Sequence, residues 1–171
     1  MISLVIGGSA SGKSEYAEKL VVDLGTFPRT YIATMKPYDE ECINRIKEHQ
    51  RMRFKKGFKT IECYNDLHTV KIEGRGTVLL ECMSNLCANE FFKGHKMNCV
   101  PLIIDGIKSL ASQCNDLIIV SNEVFSGGYN YEGETLEYLR ALGKINCIIA
   151  SFADNVCEVV AGIPVYHKGG A

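Results

Sequence analysis

Between Ile2 and Ser14 an apolar run, Leu4-Val5-Ile6, ends in Gly7-Gly8-Ser9-Ala10-Ser11-Gly12-Lys13-Ser14 and passes into a helical pattern. This is the G-x-x-x-x-G-K-S phosphate-binding loop, or P-loop, and it requires a buried strand feeding directly into a helix. Gly7 and Gly12 let the backbone curl, so that successive N–H groups across Gly8, Ser9, Ala10 and Ser11 point into one anion-sized hollow. Lys13 then reaches the β- and γ-phosphates, and the Ser14 hydroxyl ligates Mg²⁺. The helix that follows, with Tyr16, Ala17, Leu20, Val21 and Leu24 facing inward, turns the positive end of its dipole toward the same phosphates. The expectation is a chain that binds a nucleoside triphosphate.

Composition narrows the classes open to such a chain. Its 171 residues suit a single domain with a full core, and no separate substrate domain fits beside it. Lys plus Arg number 19 against 20 Asp plus Glu, so net charge offers no argument for nucleic acid or a membrane surface. No apolar run approaches the roughly 20 residues of a membrane span, and Met1 runs straight into a strand without a charged leader. A soluble cytoplasmic protein is expected. The 8 cysteines are scattered and form no C-x-x-C pair, which reads as reduced thiols packed as small hydrophobes, with a zinc site as the alternative.

Along the chain, strands and helices alternate. Thr30-Tyr31-Ile32-Ala33-Thr34 reads as the second strand, and Asp39 is placed to cap a helix beginning Glu40-Glu41. That helix turns basic from Arg45 onward, with Glu48 as the lone acid up to Lys59. Its spacing puts Arg45, His49 and Arg53 on one face and Ile43 and Ile46 on a docking side. The face reads either as solvated surface or as guanidiniums that bind phosphates around an imidazole that acts on them, since imidazole is largely neutral and nucleophilic at neutral pH.

Lys59 to Cys63 and Thr77 to Glu81 read as further strands, the second delivering a carboxylate at its end, where a Mg²⁺-organising acid opposite the P-loop would sit. A helix is expected over Asn85 to Lys93 with Leu86, Asn89 and Phe92 on one face. Gly94 to Asn98 reads as a loop with a solvated His95, and Pro101 to Gln113 as a helix. Asp116 to Val120 is a strand ending in Ser121-Asn122-Glu123. Phe125 to Tyr131 is an aromatic loop, and Leu136, Leu139, Leu142, Ile145, Ile148, Ile149 and Phe152 recur at the intervals of a long buried helix. Val156 to Ile163 reads as a last strand closed by Gly162-Ile163-Pro164. Several strand ends carry polar groups, the pattern of a mostly parallel sheet with its ligand at the carboxyl edge.

These residues together resemble a known family. The P-loop Gly7 to Ser14, Tyr31-Ile32-Ala33-Thr34, Arg45-Ile46 followed by His49 and Arg53, Thr60 with Glu62, Leu79-Leu80-Glu81-Cys82, Asn122-Glu123-Val124 and Gly162-Ile163-Pro164 are similar, in order and over nearly the whole chain, to the cobinamide kinase/cobinamide-phosphate guanylyltransferase family of cobalamin biosynthesis. The resemblance implies an α/β P-loop fold over residues 1–171, with a mostly parallel, RecA-like sheet flanked by helices. It implies an enzyme that phosphorylates adenosylcobinamide with ATP or GTP and then transfers GMP from GTP to adenosylcobinamide phosphate through a guanylylated His49. Lys13 would act with His49 in catalysis. Ala33, Thr34, Met35, Gln50, Arg51, Met52, Arg53, Glu62 and Glu81 would join residues 7–14 against the nucleotide, and Ser14 and Glu81 would hold Mg²⁺. The resemblance also implies a homo-oligomer, a trimer, whose partner molecule is a corrinoid.

Departures from the family pattern fall at Phe125, Ser126, Asn130, Gly133, Leu136 and Leu139, in a segment expected to face the corrinoid. The chain is also short through Gly94 to Asp105, and Phe58 stands where the family often has Trp. Two rivals predict different chemistry. A kinase of another small hydroxyl substrate would transfer phosphoryl groups without nucleotidyl transfer, and a non-catalytic nucleotide-binding protein would bind without turnover.

Overall fold

The computed structural model describes residues 1–37, 40–127 and 131–170, with the backbone alone at positions 41, 42, 44, 45, 48, 49 and 52. The proposed cap Asp39 lies outside the described residues, as do positions 128–130 of the aromatic loop.

Seven strands form one sheet in the order β3-β2-β4-β5-β1-β6-β7. They are β1 (Ile2–Gly7), β2 (Arg29–Ala33), β3 (Phe58–Glu62), β4 (Thr77–Glu81), β5 (Asp116–Asn122), β6 (Asn155–Val160) and β7 (Ile163–Lys168). All neighbours pair parallel except β7, which returns antiparallel on β6. The helices are α1 (Lys13–Asp23), α2 (Glu40–Lys55), α3 (Met83–Glu90), α4 (Cys99–Gln113) and α5 (Gly133–Phe152).

Parallel strands covered on both faces must be apolar on both, and successive residues divide between the two sides. Val5, Tyr31, Leu79, Ile118 and Val120 face one way and pack with Ala17 and Val21 of α1. Leu4, Ile32, Leu80, Leu117 and Ile119 face the other way, onto a larger core formed with α3, α4 and α5. Leu4, Val5, Ile32, Leu79 and Leu80 are fully buried, and each such side chain stabilises the fold by about 1.5–3 kcal/mol. Among the described residues no helix is long and apolar enough to cross a membrane.

The register matters most for the site. Glu62 pairs with Ala33, Ala33 with Glu81, Glu81 with Val120, and Val120 with Val5. A single row across the carboxyl end of the sheet therefore runs from two carboxylates to the strand that feeds the P-loop. Glu81 is two strands from β1, about 10 Å at the usual strand spacing.

Several expectations change. The last strand is a hairpin: Ala161 and Gly162 take φ of 50° and 80°, and the chain turns back as β7, with Ile163 and Val165 exposed. The segment read as a loop at 94–98 does break the helix, at Gly94 with φ 112° and Lys96 with φ 45°, but it holds a short 3-10 turn over Lys96–Asn98 before α4. Phe91 follows Met83 and Cys87 at four-residue intervals on the buried face, so Phe91 is buried and Phe92, expected on the inner face with Leu86 and Asn89, is 59% exposed. His95 is not simply solvated, because its Nε2 lies 3.6 Å from Oε2 of the buried Glu90. Leu136 and Leu139 are only half-buried, and Ala141, Leu142, Ile145 and Ile149 form the inner face of α5.

Candidate active site

The P-loop is held from two sides. Gly7 O accepts from Glu123 N at 3.0 Å, and Ser11 O accepts from Gly162 N at 2.8 Å in the β6-β7 turn. The turn created by the hairpin is therefore the outer wall of the loop. A Cβ on Gly7 would stand 2.4 Å from Ser11 Oγ and 2.8 Å from the carbonyl oxygen of Val159, so no larger residue fits without moving backbone. Gly12 caps α1 with φ 88° and ψ 4°, a left-handed conformation that glycine adopts without steric cost. Ser9 and Ala10 form the exposed tip. Lys13 is buried at 9% exposure, and its Nζ donates to Gly8 O at 3.0 Å, which holds the ammonium over the loop it serves. Ser14, half-buried, is the next residue of α1. The Ser11 hydroxyl is buried without a hydrogen-bond partner among the described residues, an orphan that a phosphate oxygen would satisfy.

A second group gathers where β2, β3 and β4 end beneath α2. A cavity of about 60 Å³ is lined by Ala33, Thr34, Met35, Gln50, Arg53, Glu62 and Glu81, seven of the residues expected at the nucleotide, together with Tyr31, Ile46 and Tyr64. It shares Gln50 and Glu62 with a groove of about 930 Å³ between α2 and β3, which Lys47, Arg51 and Lys59 make cationic. The side chains of His49, Met52 and Arg45 lie outside the described residues, although α2 runs through all three positions.

The cavity walls are fixed by specific bonds. Glu62 accepts from Gln50 Nε2 at 3.2 Å and from Tyr64 OH at 2.8 Å. Burial, then the bond to Glu62, pushes the Tyr64 hydroxyl up to about 12. Thr34 is fully buried; its Oγ1 accepts from Cys82 N at 2.7 Å and donates to Cys82 O at 2.8 Å, and its carbonyl accepts from Asn89 Nδ2 at 2.9 Å. Thr34 thus pins the end of β2 to the start of α3, and its hydroxyl is turned away from any ligand. Tyr31 OH donates to Glu81 Oε2 at 3.1 Å, and burial, then the neighbouring Glu81 charge, raises that phenol well above its usual range.

Arg53 was expected against the nucleotide. Its guanidinium lies 3.6 Å over the Tyr31 ring, and its Nε donates to Glu18 Oε1 at 2.9 Å, with both side chains only 11–12% exposed. Lys56 Nζ reaches the other oxygen of Glu18 at 2.5 Å. Burial alone would raise the Glu18 carboxyl, but its bonds to Lys56 and Arg53 outweigh that and hold it below the ordinary value. Glu18 belongs to α1, so one carboxylate on the P-loop helix clamps the end of α2, and the chain of contacts continues through Tyr31 to Glu81. Sequence reading missed Glu18, Tyr31 and Tyr64 as parts of the site. Glu18 is 35 residues from Arg53, and no local spacing signals that pairing.

Known proteins match this architecture. A model of the cobinamide kinase / cobinamide phosphate guanyltransferase family matches residues 3–166. The bifunctional adenosylcobalamin biosynthesis protein CobU of Salmonella typhimurium is 31% identical over 185 residues, covering 98% of this chain and 100% of that protein. The bifunctional adenosylcobalamin biosynthesis protein CobP of Pseudomonas aeruginosa is 29% identical over 177 residues, covering 99% of this chain and 98% of the relative. Among solved structures, the flagellar accessory protein FlaH from Methanocaldococcus jannaschii superposes with a TM-score of 0.54 at 14% identity, over 99% of this chain and 78% of its own, a likeness of fold alone.

Proposed function

Because this chain belongs to the cobinamide kinase / cobinamide phosphate guanyltransferase family, we propose that residues 1–171 form one nucleotide-binding domain that runs both reactions at the carboxyl edge of its sheet. The observation that carries this reading is the convergence of Ala33, Thr34, Met35, Gln50, Arg53, Glu62 and Glu81 on one cavity under α2, on the sheet that also delivers the P-loop.

In the first reaction the P-loop amides from Gly8 to Gly12 and Lys13 hold the β- and γ-phosphates of ATP or GTP. The substrate hydroxyl attacks the γ-phosphorus, an O–P bond forms, the bond to the β-phosphate oxygen breaks, and the hydroxyl proton is released. Most of the protein's contribution is positioning and neutralisation of charge. Ser14 and Glu81 are hard oxygen donors suited to Mg²⁺, and Tyr31 occupies only Oε2 of Glu81 among the described groups. When bound, the ion supplies charge neutralisation on the phosphate oxygens.

In the second reaction an imidazole nitrogen of His49 attacks the α-phosphorus of GTP. The N–P bond forms as the bond to the β-phosphate breaks, and pyrophosphate leaves. A phosphate oxygen of adenosylcobinamide phosphate then displaces His49, and adenosyl-GDP-cobinamide results. Gln50, Arg51 and Met52 would lie along the bound nucleotide, and Arg53 would act at that site through the clamp that seats α2. We further propose a cytoplasmic homo-oligomer, a trimer as the family resemblance implies.

Incubation with adenosylcobinamide and γ-labelled ATP tests the pair of activities. Labelled adenosylcobinamide phosphate that is converted to a GDP derivative on addition of GTP supports the reading. Accumulation of the phosphate with no conversion would leave only a kinase.

A further inference from the structure

Asn89 of α3 does not line the cavity under α2, yet its side chain, in a residue only 8% exposed, ties two of the cavity's walls together. Its Nδ2 donates to Thr34 O and to Tyr64 O, each at 2.9 Å. We propose that Asn89 is a positioning residue for guanylyl transfer, acting through Tyr64 on the carboxylate of Glu62. The inference rests on the guanylyltransferase reading above and adds to it a residue that does not touch the nucleotide.

The sheet itself stops short of the cavity wall. β2 and β3 pair as far as Ala33 and Glu62, and a bond from Cys63 N to Ala33 O at 2.9 Å closes the ladder. Past that bond the two chains part, and the carbonyls of Thr34 and Tyr64 have no backbone partner among the described residues. Carbonyls that leave a sheet beneath a helix still need donors, and a side-chain amide carries two hydrogens on one nitrogen, one for each. Asn89 thereby fixes the end of β2 against the chain that leaves β3.

The same end of α3 grips the residues that follow Tyr64. Glu90, buried, accepts from Asp66 N at 2.5 Å through Oε1, and Lys93 Nζ donates to Asp66 Oδ2 at 2.9 Å. Cys63 and Leu67 bury their side chains on either side of this segment, so apolar contacts already hold it against the core. What Asn89 adds is the placement of Tyr64 within it.

That placement reaches the site. Tyr64 OH donates to Glu62 Oε2 at 2.8 Å, and Gln50 of α2 donates to Oε1 at 3.2 Å. Glu62 is exposed, so hydrogen bonds rather than packing set the direction of its carboxylate. A displaced Tyr64 would free one of its two oxygens beside the nucleotide, and small misplacements at a reacting site are costly in rate. Thr34 is held independently by its two bonds to Cys82, so the half of the site nearer the P-loop does not depend on Asn89.

Two half-reactions of the full chain test the relay: guanylylation of the protein by α-labelled GTP in single turnover, and phosphorylation of adenosylcobinamide by γ-labelled ATP. Asn89→Ala removes both donors, and Tyr64→Phe removes only the bond to Glu62. Each should lower the second-order rate constant for guanylylation about tenfold or more and leave phosphorylation within about twofold. Asn89→Ala added to Tyr64→Phe should cost less than about twofold more, because the two residues act in series. Unchanged guanylylation in Asn89→Ala or in Tyr64→Phe, or additive losses in the double variant, overturns the proposal. Equal loss of both activities in Asn89→Ala assigns the residue to folding and also overturns it. A parent chain that phosphorylates adenosylcobinamide but is never guanylylated overturns the guanylyltransferase reading as well.

Discussion

The Arg53 guanidinium stacks 3.6 Å above the ring of Tyr31, and through that contact the basic helix α2 is seated on the strand that ends beside Glu81. The same guanidinium is hydrogen-bonded to Glu18 on the P-loop helix, so the two halves of the site share one cation. Replacing Arg53 by Ala removes a charge-assisted bond and a cation–π contact, both largely shielded from water, at a cost of about 2–3 kcal/mol in urea unfolding. Arg53→Lys should recover only part of this, because an ammonium cannot both stack flat and hold the fork geometry. An unchanged unfolding midpoint in Arg53→Ala would show that the clamp does not seat α2.

The clamp also has a pH signature. The Glu18 carboxyl is held below its ordinary value of 4.5 in the folded chain, so its contribution is complete above that value and is lost as pH falls through the lower, folded-state value. The stability gap between the parent and Glu18→Gln should therefore be widest near neutral pH and shrink below about pH 4. A gap that is constant down to acid pH would remove Glu18 from the account.

At Gly7 the constraint is spatial. A methyl group there meets the carbonyl oxygen of Val159 at 2.8 Å, and the backbone of β6 cannot yield as a side-chain tip can. Gly7→Ala should displace the loop and weaken nucleotide affinity at least about tenfold by titration calorimetry, whereas Gly8→Ala, which meets no atom within 4 Å, should keep its affinity. Equal losses in the two variants would contradict this.

Thr34→Val keeps the shape of the side chain and deletes its hydroxyl. Cys82 would be left with an unpaired N–H beneath a fully buried residue, while its carbonyl keeps the bond from Leu86 N at 3.2 Å, a loss of about 1–3 kcal/mol in thermal or urea unfolding. A neutral variant would mean that this edge of the sheet relaxes freely.

Thiol reactivity should follow burial. Among the described cysteines Cys147 is exposed, while burial, followed by neighbouring carboxylates, pushes Cys63 up to about 11. Iodoacetamide at pH 8, followed by peptide mapping, should modify Cys147 well before Cys63. The reverse order would contradict the packing around β3.

What sequence could reveal here was whatever is local. Gly7 to Ser14 is contiguous, and the strand before it and helix before Leu24 follow from one apolar pattern. Glu81 announced itself because an apolar strand ends on it. The hairpin was hidden because Val156 to Ile163 reads as one apolar run, and only the left-handed backbone at Ala161 and Gly162 breaks it. The loop composition of Gly94-His95-Lys96-Met97-Asn98 does mark the break at Gly94, but it hid the 3-10 turn over Lys96–Asn98 and the approach of His95 to Glu90. Leu136 and Leu139 match the period of a core helix, but the periodicity cannot tell that the first turns of α5 border a groove. Glu18, Tyr31 and Arg53 meet only because α1, β2 and α2 fold over one another.

The most direct test of the account is incubation of the chain with Mg²⁺ and α-labelled GTP, followed by acid and alkali treatment of the denatured protein, with His49→Ala alongside. The account predicts acid-labile, alkali-stable label on the parent and none on the variant, the signature of a phosphoramidate at His49. Tight GTP binding with no label on the parent, or equal label on His49→Ala, would contradict it.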